Sequence, residues 1–403
     1  MDGAGAELIP EHVARDRVFD FDIYTDPRVN EDVQGTSAEA IRTAPDVFYT
    51  TRNGGHWIAR SPEAISEIVK DYEYFSVREM QIPRVPNPPF FIPLSLDPPV
   101  NLPYRAAMMP AFSPKAIREL EPKARAWAVK IIEDVADKGE CDFIRDVSAL
   151  FPVSVFMELM GIPVERLREC RECAEQFFNA HEGADMEAAG AKIMGLLGEL
   201  LELRRGEPAA DLMTHFLNVE IEGRKLNPDE VMAMSFVLFL GGMDTVTNMI
   251  GFSFQHLSGD PKLQARLAAE PTLIPKFVEE CLRCFAIINT PRLVVKDCER
   301  FGVSFKAGEM VLNMTSVVGR DPRMNDDPSR FNIDREHVAH LTFSQGPHLC
   351  IGHVLARAEM RILTEEWFKR VPSFTAKPGV KHGFRMGTVH ALESLPLEWG
   401  TAA

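Results

Sequence analysis

Apolar positions recur at helical spacing along most of this chain, and capping residues mark where the helices should begin. Ser61-Pro62, Ser113-Pro114 and Asn227-Pro228 each place a capping side chain before a proline at the first helical position, and an amphipathic run follows each. Thr36 with Glu39 reads as a capping box ahead of a further short helix. Residues 227–258 predict one helix of roughly thirty residues, far above the common length of about 11–12, so it is expected to run through the middle of the protein.

Strand-like alternation clusters at two places. Residues 47–60 read as a hairpin around Asn53-Gly54-Gly55, and residues 293–312 as a second small sheet around Lys306-Ala307-Gly308. Residues 321–337 are rich in Asp, Pro, Arg and Asn and lack periodicity, which predicts a long irregular connection. Without an internal repeat, a low-complexity tract or a break in composition, the pattern predicts a single domain over residues 1–403, mainly α with small β-sheets.

Composition narrows the function. The chain has 403 residues, 45% of them hydrophobic, enough to bury a large core, and a formal charge of −15, which argues against nucleic acid as a partner. The first residues have neither a basic start nor an apolar core, and the apolar run over 231–243 is too short to span a bilayer. A cytoplasmic protein that is not a membrane partner is expected, and the seven cysteines of such a chain argue against a disulfide framework.

Three places carry candidate chemistry. Leu240-Gly241-Gly242-Met243-Asp244-Thr245 sets two glycines, an acid and an alcohol inside an otherwise apolar helix. An interior glycine costs up to about 1 kcal/mol relative to alanine, and an acid there needs a partner or a function. The plain alternative is a kink with a solvent-linked acid. Glu280 and Arg283 are three apart on a helix ending near Phe285 and can pair, as many surface residues do. Phe343-Ser344-Gln345-Gly346-Pro347-His348-Leu349-Cys350-Ile351-Gly352 places a cysteine after a glycine turn and before a helix, where backbone N–H groups favour thiolate; a buried structural thiol is the alternative. Cys170-x-x-Cys173 and Cys281-x-x-Cys284 have metal-knuckle spacing but lie in helical patterns without the turn such a site needs, so ordinary thiols are expected.

In their order and spacing these motifs resemble the cytochrome P-450 family of haem-thiolate monooxygenases over nearly the whole chain, and Asp327-Pro328-Ser329-Arg330-Phe331 is similar to that family's meander. Gly241 to Val246, Phe91-Ile92-Pro93, Asp97-Pro98-Pro99 and His348, where most relatives have arginine, resemble the bacterial camphor hydroxylase class. The resemblance implies a triangular α-rich prism with the long helix over a haem b (iron protoporphyrin IX). It makes Cys350 the metal ligand, with Phe343 beside it and Gly346 and Gly352 shaping its loop. Arg105, Arg292 and His348 would hold the haem propionates, and Asn101 stands where many relatives carry a histidine. Asp244 and Thr245 would be catalytic, relaying protons on the distal side, while Glu280, Arg283 and Arg330 would form a buried structural network.

The same resemblance lines a substrate pocket with Phe90, Val237, Leu240, Gly241, Ile287, Ile288, Thr388 and Val389, a strongly apolar set. Pro88-Pro89-Phe90 replaces the tyrosine that contacts camphor in that class, so a terpenoid or ionone-like norisoprenoid is expected instead, with Gln81 as a polar contact. Electrons would come to a monomer from a two-iron ferredoxin and an NADH-dependent ferredoxin reductase, docking at Arg105, Arg357 and Arg361. A haem peroxygenase on the same fold and a non-catalytic haem sensor are the alternatives; the Asp244-Thr245 pair argues for dioxygen activation.

Overall fold

The computed structural model describes residues 9–85, 90–178 and 183–400. Its helices are α1 (Val33–Ala40), α2 (Pro62–Ile68), α3 (Asn101–Met108), α4 (Pro114–Ala136), α5 (Leu150–Met160), α6 (Leu167–Phe178), α7 (Gly183–Gly206), α8 (Leu212–Asn218), α9 (Pro228–Ser258), α10 (Pro261–Ala269), α11 (Ile274–Cys284), α12 (Thr315–Val318) and α13 (His353–Arg370). The strands are β1 (Val47–Thr50), β2 (His56–Ala59), β3 (Phe75–Ser76), β4 (Glu140–Asp142), β5 (Glu220–Ile221), β6 (Arg224–Lys225), β7 (Thr290–Val294), β8 (Cys298–Arg300), β9 (Val303–Phe305), β10 (Met310–Asn313), β11 (Thr375–Ala376), β12 (Phe384–Arg385), β13 (Ala391–Leu392) and β14 (Pro396–Glu398).

The three proline-marked starts fold as the caps require. Ser61 accepts from the Ala64 N–H, Ser113 from Ala116, and Asn227 from Glu230, whose carboxylate returns a bond to the Asn227 N–H at 2.8 Å. The Thr36 box does not form. Asp32, four residues earlier, caps α1 through the Gly35 N–H at 3.1 Å, and Thr36 turns its hydroxyl back onto the Asp32 carbonyl from inside the helix.

The hairpin is present, with Asn53, Gly54 and Gly55 at positive φ in its turn. The expected second sheet is not separate: β10 lies parallel to β2, and β7 is antiparallel to β10, giving one five-stranded sheet in the order β1-β2-β10-β7-β3. Alternation along the chain sets which side chains share a face; it does not choose the partner strand. Only β8 and β9 of that region pair apart.

The 31-residue helix α9 threads two separate cores. Its first half, through Met234, Phe239 and Met243, packs in one with Phe156, Leu197 and Phe216; its second half, from Val246 to Leu257, packs in the other with Phe143, Leu363 and Trp367. The change from one core to the other falls at Asp244-Thr245. By length and composition α9 could cross a bilayer, which the shorter run over 231–243 could not, but 56% of its most apolar window is buried within the protein.

A buried ion pair ties α11 to the irregular connection. Neither Glu280 nor Arg283 exposes side-chain surface, and the pair is bidentate at 2.6 and 2.8 Å. Arg283 also donates to the carbonyls of Gly319, Pro328 and Arg330, while Glu280 accepts from the Asn332 N–H at 2.8 Å. Gly319 is obligatory here, because a Cβ would lie 2.1 Å from the Arg283 carbonyl oxygen. Arg330 was expected as the third charged member; it gives only its carbonyl, and its side chain is exposed. The third cation is Arg335, 3.5 Å from Glu280.

Removing Glu280 strands Arg283 in the core, so Glu280→Ala is expected to lose about 3–5 kcal/mol and to give haem-poor protein. Recovery of a stable, fully loaded variant in a thermal melt would contradict this. Glu230 is held at about 2 by Arg224, against burial, with help from Tyr104 and the Asn227 N–H. That value lies below the ordinary 4.5, so its stabilisation is complete above that pH and fades as pH falls towards 2. Glu230→Gln should therefore lower stability by about 1 kcal/mol at neutral pH, and the gap to the parent protein should close in acid denaturation.

Candidate active site

The loop from Phe343 to Gly352 is hung between α11 and α13. Thr342 donates to the Leu282 carbonyl at 2.5 Å, and the Cys350 N–H donates to the Phe343 carbonyl at 2.9 Å, closing the loop on itself. Gly346 sits at φ +68°, a left-handed position, against Lys70. The Phe343 ring lies 4.7 Å under the Arg357 guanidinium. Gly352 is the cap position of α13, and its N–H points at the cysteine sulfur.

Cys350 is accessible, yet burial pushes its thiol above the ordinary range, with the Gly352 N–H, Arg105 and Arg357 pulling it back. Accessibility combined with desolvation marks an interior cleft. The other motif cysteines are different: Cys170, Cys173, Cys281 and Cys284 are buried in helices, and burial raises all four thiols.

Beside the loop lies a set of cationic and polar groups without an anion. Arg292, on β7, is 3% exposed and donates to the Pro291 carbonyl; burial pulls it down to about 10 against the charge of Asp97. Arg105, on α3, donates to the Leu349 carbonyl at 2.5 Å. Among the described residues neither guanidinium has a carboxylate in contact. Burial, with Arg292 and Arg105, holds His348 at about 3, so it is neutral. Asn101 places its amide nitrogen 3.5 Å from His348 Nε2, while Asn101 Oδ1 and His348 Nδ1 are buried with no partner. Thr290 shares a face of β7 with Arg292 by the two-residue period, and its hydroxyl is also buried and unpartnered, a position the sequence reading missed. The Thr290 hydroxyl and the His348 ring, each able to donate, beside two cations without a carboxylate partner fit the carboxylates of a haem whose iron Cys350 would hold.

On α9 the two glycines have different uses. A Cβ on Gly241 would meet nothing within 4 Å, so this turn borders open space; on Gly242 it would lie 3.2 Å from Phe156 of α5. Thr245 donates its hydroxyl to the Gly241 carbonyl at 2.8 Å. Burial pushes the Asp244 carboxyl up, opposed by the charge of Arg385 and by Asn248. Asn248, one turn on, donates to the Asp244 carbonyl at 2.9 Å.

Of the residues expected in a pocket, Val237, Leu240 and Gly241 lie on α9, and Ile288 is bridged to Val389. Asn289 donates to the Thr388 carbonyl at 2.8 Å, joining the two segments again. Ile287 is 2% exposed and belongs to the core, whereas Phe90 is 57% exposed; Pro88 and Pro89 lie outside the described residues. Two of the three arginines expected at a docking surface are engaged internally: Arg357 pairs with Glu279 at 2.5 Å, and Arg361 with Glu121 at 2.8 Å.

A family model for cytochrome P-450 matches residues 157–371. "Probable cytochrome P-450 127A1" of Sinorhizobium fredii is 31% identical, with 97% of each chain covered. The steroid C26-monooxygenase of Mycolicibacterium smegmatis is 29% identical over 84% of this chain and 86% of its own. The crystal structure of CYP101J2 superposes with a TM-score of 0.90 at 34% identity, covering 98% of this chain and 99% of that one. The chain belongs to the cytochrome P-450 family of haem b enzymes, and it is an oxidoreductase of the monooxygenase type.

Proposed function

We propose that this enzyme hydroxylates a small apolar terpenoid or norisoprenoid, ionone-like in size, using dioxygen and electrons from a two-iron ferredoxin served by an NADH-dependent reductase. It would act as a cytoplasmic monomer. Haem held by Cys350 supplies dioxygen activation and oxygen insertion into a C–H bond. The protein's own part is to bind the cofactor's carboxylates through Arg105, Arg292, His348 and Asn101, keep water out, and manage protons.

The observation that carries this reading is the placement of Asp244 and Thr245 where α9 passes between cores, next to the open space at Gly241. A carboxyl whose proton affinity is raised by burial can hold a proton at the edge of an apolar chamber, and the adjacent hydroxyl can accept and pass it. That equipment favours dioxygen chemistry over direct use of peroxide, which brings its own protons. The apolar Leu240, Ile288 and Val389 support an apolar substrate. Gln81, whose side-chain oxygen is buried without a partner, supports one polar contact to it.

Thr245→Ala is expected to load haem and consume NADH normally while product per NADH falls about tenfold or more, with peroxide appearing in its place. Unchanged coupling would remove Thr245 from proton delivery. In a spin-state titration, monoterpenoids and ionones should shift the Soret band of the holoenzyme, and Gln81→Leu should weaken alcohols more than hydrocarbons. No shift with any of them would end the terpenoid assignment.

A further inference from the structure

The C-terminal hairpin of β12 and β13 is joined to the centre of α9 by one side chain. Asn248 accepts from the Leu392 N–H at 3.3 Å through its carbonyl oxygen and donates to the Asp244 carbonyl at 2.9 Å through its amide. Leu392 pairs with Phe384 and Ala391 with Arg385, so this strut fastens to the helix, at Leu392, the hairpin whose other strand bears Arg385. A second fastening holds the hairpin's approach: Asn289 donates to the Gly387 carbonyl at 3.0 Å, and the His390 N–H donates to the Ile287 carbonyl at 2.8 Å. Arg385 is the charged group that bears on the Asp244 carboxyl, and Asn248 is the polar one.

We propose that Arg385 is a positioning residue for Asp244: carried by the C-terminal hairpin that Asn248 fastens to α9, its guanidinium orients that carboxyl and favours its ionised form against the effect of burial. The proposal rests on the reading of Asp244 as the proton donor to Thr245. Burial alone would leave Asp244 neutral and unable to reload; a guanidinium nearby keeps both protonation states within reach. A cation supplied from a different segment than the helix also lets the hairpin's position set the proton affinity of the site.

The test uses the haem-loaded full chain. The infrared band of the protonated carboxyl that is lost in Asp244→Asn reports Asp244 itself, and it is followed against pH in the parent protein, Arg385→Gln and Arg385→Lys. Removing the cation should move the band's titration upward by about one pH unit, tenfold in proton affinity, with Lys restoring most of the shift. An unshifted band in Arg385→Gln, or a Lys variant that behaves like Gln, would overturn the proposal. Product formation with a two-iron ferredoxin, its reductase and an ionone separates the two readings. If Asp244→Asn slows turnover and Arg385→Gln does not move its acidic limb, the role of Arg385 falls and that of Asp244 stands. If Asp244→Asn leaves turnover unchanged, the proton-donor reading itself falls. The double variant Asp244→Asn with Arg385→Gln should be no slower than Asp244→Asn alone; additive losses would show that Arg385 acts elsewhere.

Discussion

The bidentate Glu280–Arg283 pair is the constraint on which the site depends. Its charges are taken wholly out of water, and such a pair is tolerated only when nearly every donor and acceptor is used. Here the remaining groups reach the carbonyls of Gly319, Pro328 and Arg330, the Asn332 N–H and Arg335. The irregular connection after α12 has no helix or strand of its own to fix it among the described residues. Its shape is therefore imposed by α11, and the Cys350 loop that follows inherits that shape through Thr342 and the Leu282 carbonyl.

A second constraint comes from α9. A helix that packs into two cores must pass between them, and at the crossing its side chains need not be apolar. Asp244 and Thr245 occupy that gap. Gly242 brings α5 close on one side while Gly241 leaves the other side open. Rigid packing on both sides of the crossing is what allows a desolvated acid to be held in one orientation, because neither half of the helix can shift without opening a core. The group around Arg105, Arg292 and His348 follows a different logic, with cations and a neutral histidine gathered where the described residues place no carboxylate in contact.

The sequence made much of this legible because its signals are local. Caps at Ser61, Ser113 and Asn227, the Asn53-Gly54-Gly55 turn and the Glu280-x-x-Arg283 spacing each depend on a few adjacent residues, and each folds as read. The failures are equally physical. Thr36 lost the cap to Asp32 because both can serve and the helix began earlier. Joining β7 and β10 to the hairpin's sheet depends on pairings across more than two hundred residues. Arg335 replaced Arg330 because, in an irregular loop, periodicity does not say which of two arginines turns inward. Asn248, Thr290 and Arg385 gave no signal, since their meaning comes from what the fold places opposite them.

The segment proposed to line the chamber belongs to the same hairpin that bears Arg385. Thr388 and Val389 lie in the connection between β12, which carries Arg385, and β13, and they are bound to the Ile288-Asn289 segment by the bridge at Val389 and the Asn289 bond to the Thr388 carbonyl. Asn248 then connects this assembly to Asp244. A ligand that displaces Val389 must load the same hydrogen bonds that hold the hairpin on α9. If the proposed roles hold, substrate shape and proton affinity are coupled through a few short contacts. On that reading, changes at Thr388 or Val389 would act on more than fit, because they would loosen the hairpin that bears Arg385.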